Sequence, residues 1–207
     1  MKVKIPKDPM HDRILEVATG LFLQYGYKRT TVEDIATAAG IAKGSLYLHF
    51  KSKDDVFGAA SRRMCRRVLD AMRREAEAGG SVERRLTAVI LVAALYVWDF
   101  CHQAPHAPQL WAEVVTAAAT YALEAYAEGR RIVADLVAEG QASGELAAVH
   151  DPEAVAMLVQ LATQAFDPPF LLIDNREQIE RQVPQLVGLL IHGMSGRTGR
   201  ADGESDA

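Results

Sequence analysis

Five side chains between residues 43 and 53 could bind a polyanion. They offer three ammonium groups, a hydroxyl and an imidazole, from Lys43, Lys51, Lys53, Tyr47 and His49. Such groups neutralise or hydrogen-bond to phosphates, which is the chemistry of nucleic-acid backbone contact. Gly44 and Ser45 are small, so a helix that carries them can approach base edges closely. The pattern alone is equally compatible with an ordinary pair of packed helices whose basic face is exposed to water.

Two short helices joined by a tight turn are predicted to position these residues. Thr31 is suited to be an N-cap, with Asp34 returning a hydrogen bond as in a capping box. Gly40 can end this helix, because it tolerates the left-handed conformation of a C-cap. The second helix is expected over about Lys43 to His49, and Ser52 starts the next. This arrangement is a helix-turn-helix unit, whose second helix enters the DNA major groove.

The N-terminal part of the chain closely resembles the DNA-binding domain of the tetracycline-repressor (TetR) family of bacterial regulators. The likeness is carried by TTVEDIATAAGIAKGSLYLHFKSK (residues 30–53) and by the amphipathic stretch from Ala18 to Tyr27, and it covers roughly residues 9–60. It includes the Thr-Val pair, the Gly-apolar turn, the Lys-Gly-Ser-Leu-Tyr run and the Ser-Lys start of the fourth helix. The resemblance implies a homodimeric, ligand-responsive regulator of transcription, most often a repressor that a small-molecule effector releases from palindromic operator DNA.

The resemblance also implies DNA contacts by position. Phosphate contacts are implied for Thr31, Tyr47, His49 and Lys53, and positions near base edges for Lys43, Gly44 and Ser45. Ala42 stands where the family often has a capping Ser or Thr, so the second helix of the motif is expected to lack a side-chain cap. Leu48 stands where the family frequently has an aromatic or polar residue. Two possibilities remain for Leu48: an apolar contact with a thymine methyl group, or no contact with DNA.

Composition and patterning predict an all-α protein. Hydrophobic residues make up 49% of the 207, and no alternating strand pattern persists. Residues 1–77 carry 15 Lys and Arg and 10 Asp and Glu, a net charge of +5, whereas the rest of the chain carries −9. A basic front and an acidic back fit a protein that presents one end to a polyanion.

The expected organisation has about nine helices in two domains. The predicted parts are a helix-turn-helix domain over residues 1–53 beginning with a basic arm, a connecting helix over about 53–78, an effector-binding and dimerisation domain over 54–195, and a disordered tail over 196–207. Within the second domain, irregular backbone is expected at Cys101 to Pro108 and a loop at Gly140 to Gly144. A helix from Pro152 to about Phe166 and a last helix within 175–194, with Pro184 as a kink or restart, complete the chain.

A small-molecule pocket in the second domain is implied by the resemblance. The candidate lining residues are Tyr96, Trp98, Phe100, Cys101, His102, His106, Trp111, Tyr121, Met157 and Phe166. Several cluster around a proline-rich break, where aromatic side chains beside irregular backbone would suit a pocket wall, although each could equally be a core residue. The expected effector is small and largely apolar. Neither a metal nor a cofactor is predicted, because the Cys and His spacing matches no standard zinc site.

The last two helices each carry an apolar stripe that could form a dimer interface. The stripes comprise Val155, Leu158, Val159 and Ala162 on the first helix and Leu186, Val187 and Leu190 on the second. Two such helices from each subunit can form a four-helix interface about a two-fold axis. The alternative is that one stripe faces the subunit's own core, and both can hold in part.

Several other classes of protein are not favoured. The sequence shows no export signal, and no apolar run is expected to reach the length of about 18 residues that a membrane span needs, so a cytoplasmic protein with Cys65 and Cys101 as free thiols is expected. No nucleophile elbow, Walker loop, zinc-protease motif or dinucleotide-binding turn is present. A helical enzyme, or a protein-interaction module that uses the helix pair without DNA, remains the alternative.

Overall fold

The computed structural model describes residues 8–116, 119–148, 150–163 and 175–195. These residues form nine α-helices and no β-strand, which confirms the all-α prediction. The helices are α1 (Pro9–Tyr25), α2 (Val32–Ala39), α3 (Lys43–His49), α4 (Lys53–Ala76), α5 (Val82–His102), α6 (Ala107–Thr116), α7 (Ala119–Ser143), α8 (Pro152–Thr163) and α9 (Arg176–Ser195). The predicted N-terminal arm, Phe166 and the predicted disordered tail lie outside the described residues.

The local signals around the helix-turn-helix act as the sequence predicts. The Asp34 amide donates to Thr31 Oγ1 at 3.1 Å, and the Thr31 amide donates to Asp34 Oδ2 at 2.8 Å, so the capping box is formed. Gly40 ends α2 in the left-handed conformation, with φ 70°. Ala42 precedes α3 and gives it no side-chain hydrogen bond. Ser52 caps α4 by accepting a hydrogen bond from a backbone amide.

The proline-containing break between α5 and α6 is shorter than predicted. The α5 helix continues through Cys101 to His102, and α6 begins at Ala107, so only residues 103–106 are irregular. Pro108 lies in the first turn of α6, where a missing amide hydrogen removes no intrahelical bond. The prediction therefore overestimated how much helix two prolines prevent.

Gly140 does not begin a loop, which corrects the prediction for residues 140–144. It lies inside α7, which continues to Ser143. A Cβ atom at Gly140 would lie 2.8 Å from the Leu146 side chain and 3.0 Å from that of Val82. The glycine therefore allows a close approach of chain segments rather than ending the helix.

The buried apolar side chains form two clusters that share α4 and α5. The first cluster joins α1, α2 and α3 to the first half of α4, the last turns of α5, and α6. The second joins the remainder of α4 and most of α5 to α7, α8 and α9. Because Val56, Phe57, Ala60 and Met64 continue the first cluster beyond Lys53, the helix-turn-helix core does not end where α4 begins.

Contrary to the expectation that no apolar run reaches the length of a membrane span, the α5 helix is long and apolar enough, by length and composition, to cross a membrane. It packs against α4, α7 and α9, and its side chains are buried from Val82 at the start to Phe100 and Cys101 near the end. This pattern of contacts is typical of a helix in a protein core.

Candidate nucleic-acid interface and internal cavity

The α3 helix is anchored on one side and uncovered on the other. Leu46 is fully buried in the first cluster, where it holds α3 against the neighbouring helices. Tyr47 is 46% exposed and Leu48 is 85% exposed. A Cβ atom at Gly44 would meet nothing within 4 Å. The outer face of α3 is therefore open to a partner as broad as a DNA groove.

The side chain of Lys43 is exposed at the start of α3 and pairs with Glu33 of α2. Their hydrogen bond lowers the pKa of Glu33 and raises the pKa of Lys43. Both groups remain in water, so the pair contributes little to stability and can be exchanged for another partner. A phosphate or base edge near α3 could therefore replace Glu33 as the acceptor for the Lys43 ammonium.

His49 connects the end of α3 to the start of α1. Its Nδ1 lies 3.0 Å from Oδ2 of Asp8, the N-cap of α1. Burial opposes ionisation of Asp8, but hydrogen bonds from the His11 and Met10 amides, together with the His49 ring, give it a net lowered pKa. The half-buried imidazole is thus oriented within the protein, and its implied phosphate contact stays a prediction.

Lys53 holds the turn between α1 and α2 against the start of α4. Its Nζ donates to the carbonyl oxygens of Tyr27 at 3.0 Å and of Thr30 at 3.1 Å, and it lies 4.3 Å from the centre of the Tyr27 ring. The Tyr27 hydroxyl donates to Asp54, and burial together with this bond raises the pKa of Tyr27. Two of the three ammonium hydrogens of Lys53 are used inside the protein, which leaves one for a phosphate. Sequence reasoning missed this structural role.

The predicted DNA contacts lie at the N-terminus of α2, along α3 and at the N-terminus of α4. Those that are exposed are Thr31, Lys43, Gly44, Tyr47 and Leu48, and those that are half-buried are Ser45, His49 and Lys53. They come from three neighbouring elements packed around one core. This arrangement provides side chains for phosphates on either side of a helix whose own face is free for base edges.

A cavity of about 150 Å³ lies among α4, α5, α6, α7 and α8. Small and aliphatic side chains form most of its wall, including those of Val68, Leu69, Met72, Ile90, Ala93, Ala94, Ala122, Ala125, Val133, Ala156 and Val159. The polar lining side chains are Cys65, Trp111, Tyr126, Arg130, Gln160 and Thr163. No Asp or Glu lines it among the described residues. The wall therefore fits an apolar molecule with few polar groups.

Most of the predicted pocket residues do not line this cavity. Trp111 does, whereas Tyr96 and Phe100 line a second, more polar cavity of about 440 Å³ between α1, α4 and α5. Trp98, Cys101, His102, His106, Tyr121 and Met157 line neither, since Trp98 and Cys101 are core residues, His102 stacks on Trp98, and Met157 is exposed. The prediction favoured large aromatic residues, whereas small and aliphatic side chains form most of the wall of the cavity of about 150 Å³. Alanine and glycine at helical spacing on α5 and α7 are the signal that was overlooked.

The apolar stripes of α8 and α9 divide between the core and the surface. Val155, Val159 and Val187 are buried in the second cluster, so these three predicted interface residues face the subunit's own core. Leu158 is 61% exposed and Leu189 is 74% exposed. The exposed residues Leu161 and Ala162 adjoin Leu158, while Leu186 and Leu190 are partly buried against the core. Two of the four predicted α8 residues, Leu158 and Ala162, therefore face solvent, and the surface available to a partner also includes Leu161.

Comparison of the sequence with known proteins supports the helix-turn-helix assignment. Residues 14–60 match a family model described as bacterial regulatory proteins, tetR family. The HTH-type transcriptional repressor KstR2 of Mycolicibacterium smegmatis is 53% identical over 45 residues, which is 22% of each chain. The fatty acid metabolism regulator protein of Bacillus subtilis is 27% identical over 84 residues, 41% of this chain and 43% of that one. The chain thus matches less than half the length of these curated relatives.

Likeness to solved structures extends over most of the chain. A transcriptional regulator of the TetR/AcrR family from Thermobifida fusca superposes with a TM-score of 0.68 at 27% identity, covering 88% of this chain and 97% of that one. The fatty acid degradation regulator FadR from Bacillus halodurans has a TM-score of 0.70 at 22% identity, over 93% and 100% of the two chains, and shares the fold. Residues 14–60 therefore match the tetR family of bacterial regulatory proteins, and the described helices share the fold of a solved TetR/AcrR-family regulator over most of the chain.

Proposed function

We propose that this protein is a cytoplasmic, homodimeric transcriptional repressor that binds palindromic operator DNA and is released by a small apolar effector. The observation that carries the proposal is the geometry of α3, which is anchored by the fully buried Leu46 and uncovered at Gly44, Tyr47 and Leu48. Such a helix can enter the major groove while the residues around it contact phosphates. The names of the relatives support the role, since they are called transcriptional repressors and regulators.

Dimerisation is proposed through the exposed apolar residues of α8 and α9. Leu158, Leu161 and Leu189 are large apolar side chains that a monomer would leave in water. A two-fold interface would cover them and place two copies of α3 on one face of a DNA duplex, about one helical turn apart. A Leu158→Asp and Leu161→Asp double variant should be monomeric and should lose most of its operator affinity.

Release from DNA is proposed to begin at the apolar cavity. Its walls include α4 and α6, and these helices also belong to the first cluster with the helix-turn-helix. A ligand that prefers one packing of these helices would shift the population toward an altered separation of the two α3 helices. The shift can be no larger than the difference in the ligand's affinity for the two states.

A gel-shift experiment on the DNA upstream of the protein's own gene tests the proposal. We expect a retarded band at low salt that weakens steeply as salt rises, because phosphate contacts release counterions. The Lys43→Ala change should weaken the band, whereas Arg74→Ala, which removes the same charge from the far end of α4, should not. Failure of the intact protein to retard this DNA at low salt would count strongly against the proposal.

A further inference from the structure

The chemistry of the effector is indicated by the charge of the cavity. Arg130 is the charged side chain among the described residues that line it. Its Nη1 donates to Oε1 of Gln160 at 2.8 Å, and no described carboxylate lies within ion-pairing distance of it. Other arginines do pair with carboxylates, namely Arg63, Arg73, Arg85 and Arg176. A half-buried guanidinium whose described acceptor is an amide oxygen is suited to bind an anion through paired hydrogen bonds.

Another polar group in the cavity wall lacks a hydrogen-bond partner within the part of the chain that the structure describes. The Trp111 side chain is 7% exposed, and its indole Nε1 is buried without an acceptor among the described residues. Buried donors in native proteins are nearly always hydrogen-bonded. An acceptor atom on a ligand in this cavity could satisfy the indole.

Trp111 and Arg130 lie beside different apolar clusters. Trp111 belongs to the first cluster, and Cys65 packs against the same cluster. Arg130 follows Gly129, where a Cβ atom would lie 3.4 Å from the Met72 side chain in the second cluster. Cys65 and Met72 are seven residues apart on α4, which corresponds to roughly 10 Å along the helix axis. The apolar wall between them encloses a volume similar to that of a protein cavity that accepts one benzene ring.

We infer that the effector is a monocarboxylic acid with an apolar body of about one ring, whose carboxylate binds Arg130 and whose far end carries an acceptor for the Trp111 indole. The inference rests on the proposed function, because it assigns the cavity to the effector. The carboxylate would replace or supplement the Gln160 carbonyl at the guanidinium. The body would lie against the alanine and valine side chains, and the acceptor would approach α6.

The test is calorimetric titration of the full-length protein without DNA. The probes are 3-(4-hydroxyphenyl)propanoate, its neutral amide, and 3-phenylpropanoate, which lacks the distal oxygen. We expect the hydroxylated acid to bind about tenfold or more tightly than its amide, because the charged hydrogen bonds to Arg130 are lost in the amide. It should also bind several-fold more tightly than the acid that lacks the hydroxyl.

Three variants assign these preferences to residues. Arg130→Gln should abolish the preference for the acid over the amide, whereas Arg131→Gln, at the exposed neighbouring position, should preserve it. Trp111→Phe keeps the aromatic ring and should abolish only the preference for the hydroxylated acid. The wild-type comparison of acid with amide needs no variant, so it tests the inference even if Arg130→Gln fails to fold.

The outcomes separate this inference from the proposed function. Equal binding of acid and amide, or an acid preference that survives Arg130→Gln, would overturn the assignment of the anionic end. If no probe binds measurably while the protein still retards operator DNA, the inference is wrong and the repressor proposal stands. If the acids bind as expected but DNA is not retarded, the cavity chemistry stands and the repressor proposal fails.

Discussion

The backbone amide of His106 donates a hydrogen bond of 3.3 Å to the carbonyl oxygen of Leu23, which joins the turn before α6 to the last turns of α1. The imidazole of His106 also lies 3.7 Å from the position that a Cβ atom of Gly26 would occupy. Five residues later, Trp111 lines the cavity and packs on Phe100 with ring centres 5.7 Å apart. The α6 helix therefore contacts the cavity on one side and the helix-turn-helix domain on the other.

Truncation of Trp111 should loosen the end of α1 although α1 does not line the cavity. Removing a large buried ring from the first cluster is expected to cost about 3–5 kcal/mol of unfolding free energy. Because α6 loses a large buried contact with the first cluster, hydrogen exchange should accelerate at the amides near Leu23 and Gly26. Val133→Ala on α7 also enlarges the cavity and is the control, and it should leave these amides protected. Equal exchange in the two variants would contradict the link through α6.

Tyr47 and Lys53 should differ in their effects on stability although both are implied DNA contacts. Tyr47→Ala changes an exposed side chain, so it should alter the unfolding free energy by no more than about 0.5 kcal/mol. Lys53→Ala removes two hydrogen bonds to backbone carbonyls and should cost about 1–3 kcal/mol.

Operator binding should weaken in both variants. Loss of the Lys53 ammonium should also reduce the magnitude of the salt dependence of log K by roughly 0.9, whereas loss of the uncharged Tyr47 hydroxyl should leave it nearly unchanged. Chemical denaturation and fluorescence anisotropy at several salt concentrations measure the two effects. A Lys53→Ala variant as stable as wild type would show that the hydrogen bonds from Lys53 to the carbonyl oxygens of Tyr27 and Thr30 do not stabilise the fold in solution.

Local sequence signals predicted the helix-turn-helix well, because each signal acts over only a few residues. The capping box at Thr31 and Asp34 and the left-handed end at Gly40 depend on neighbouring backbone atoms alone. For the same reason the extra length of α7 was missed. Gly140 has the residue type of a helix end, and only its contact with Leu146 from beyond the helix explains its presence inside one.

The cavity and the dimer surface could not be derived in this way, because both depend on how helices are rotated against one another. Trp98 and Phe100 are two residues apart on α5 yet belong to different clusters. On α8, Val159 faces the core while its neighbour Leu158 faces solvent. A stripe of apolar residues shows that a helix has a buried side, but not which neighbouring helix covers it.

Gly140→Ala should destabilise the protein, in contrast to the usual effect of adding a methyl group to a helix. The new Cβ atom would lie 2.8 Å from Leu146, and relieving this overlap should cost about 1–3 kcal/mol. Gly20→Ala within α1 is the matched control, since nothing lies within 4 Å of its Cβ position, and it should stabilise by about 0.5–1 kcal/mol. Thermal unfolding of the two variants measures the difference. Stabilisation by both changes would contradict the close packing at Gly140.

The capping box should make the helix-turn-helix sensitive to acid. Hydrogen bonds from the Thr31 amide and hydroxyl lower the pKa of Asp34 below its ordinary value of 3.8. A carboxyl group with a lowered pKa in the folded state stabilises the fold above its unfolded pKa, and this contribution is lost as the pH falls through the folded pKa. Asp34→Asn should therefore unfold at a lower temperature than wild type at pH 6, and the gap should narrow below about pH 4. Asp135→Asn, on the exposed face of α7, is the control. A difference in unfolding temperature between wild type and Asp34→Asn that stays constant with pH would contradict the role of the Asp34 carboxylate.

Cys65 offers a covalent probe of the cavity. Its half-buried thiol lines the wall, and burial raises the pKa of Cys65 above the ordinary value of 9.0. Since the thiolate is the reactive form, alkylation in a Cys101→Ala background should be slower than for a small free thiol and should still be accelerating with pH at 9.0. A molecule that occupies the cavity should slow the reaction further, because it covers the sulfur. Mass spectrometry over a pH series, with and without 3-(4-hydroxyphenyl)propanoate, measures both effects. An alkylation rate that reaches half of its plateau at or below pH 9.0 would show that water reaches the thiol freely and that this wall of the cavity is open.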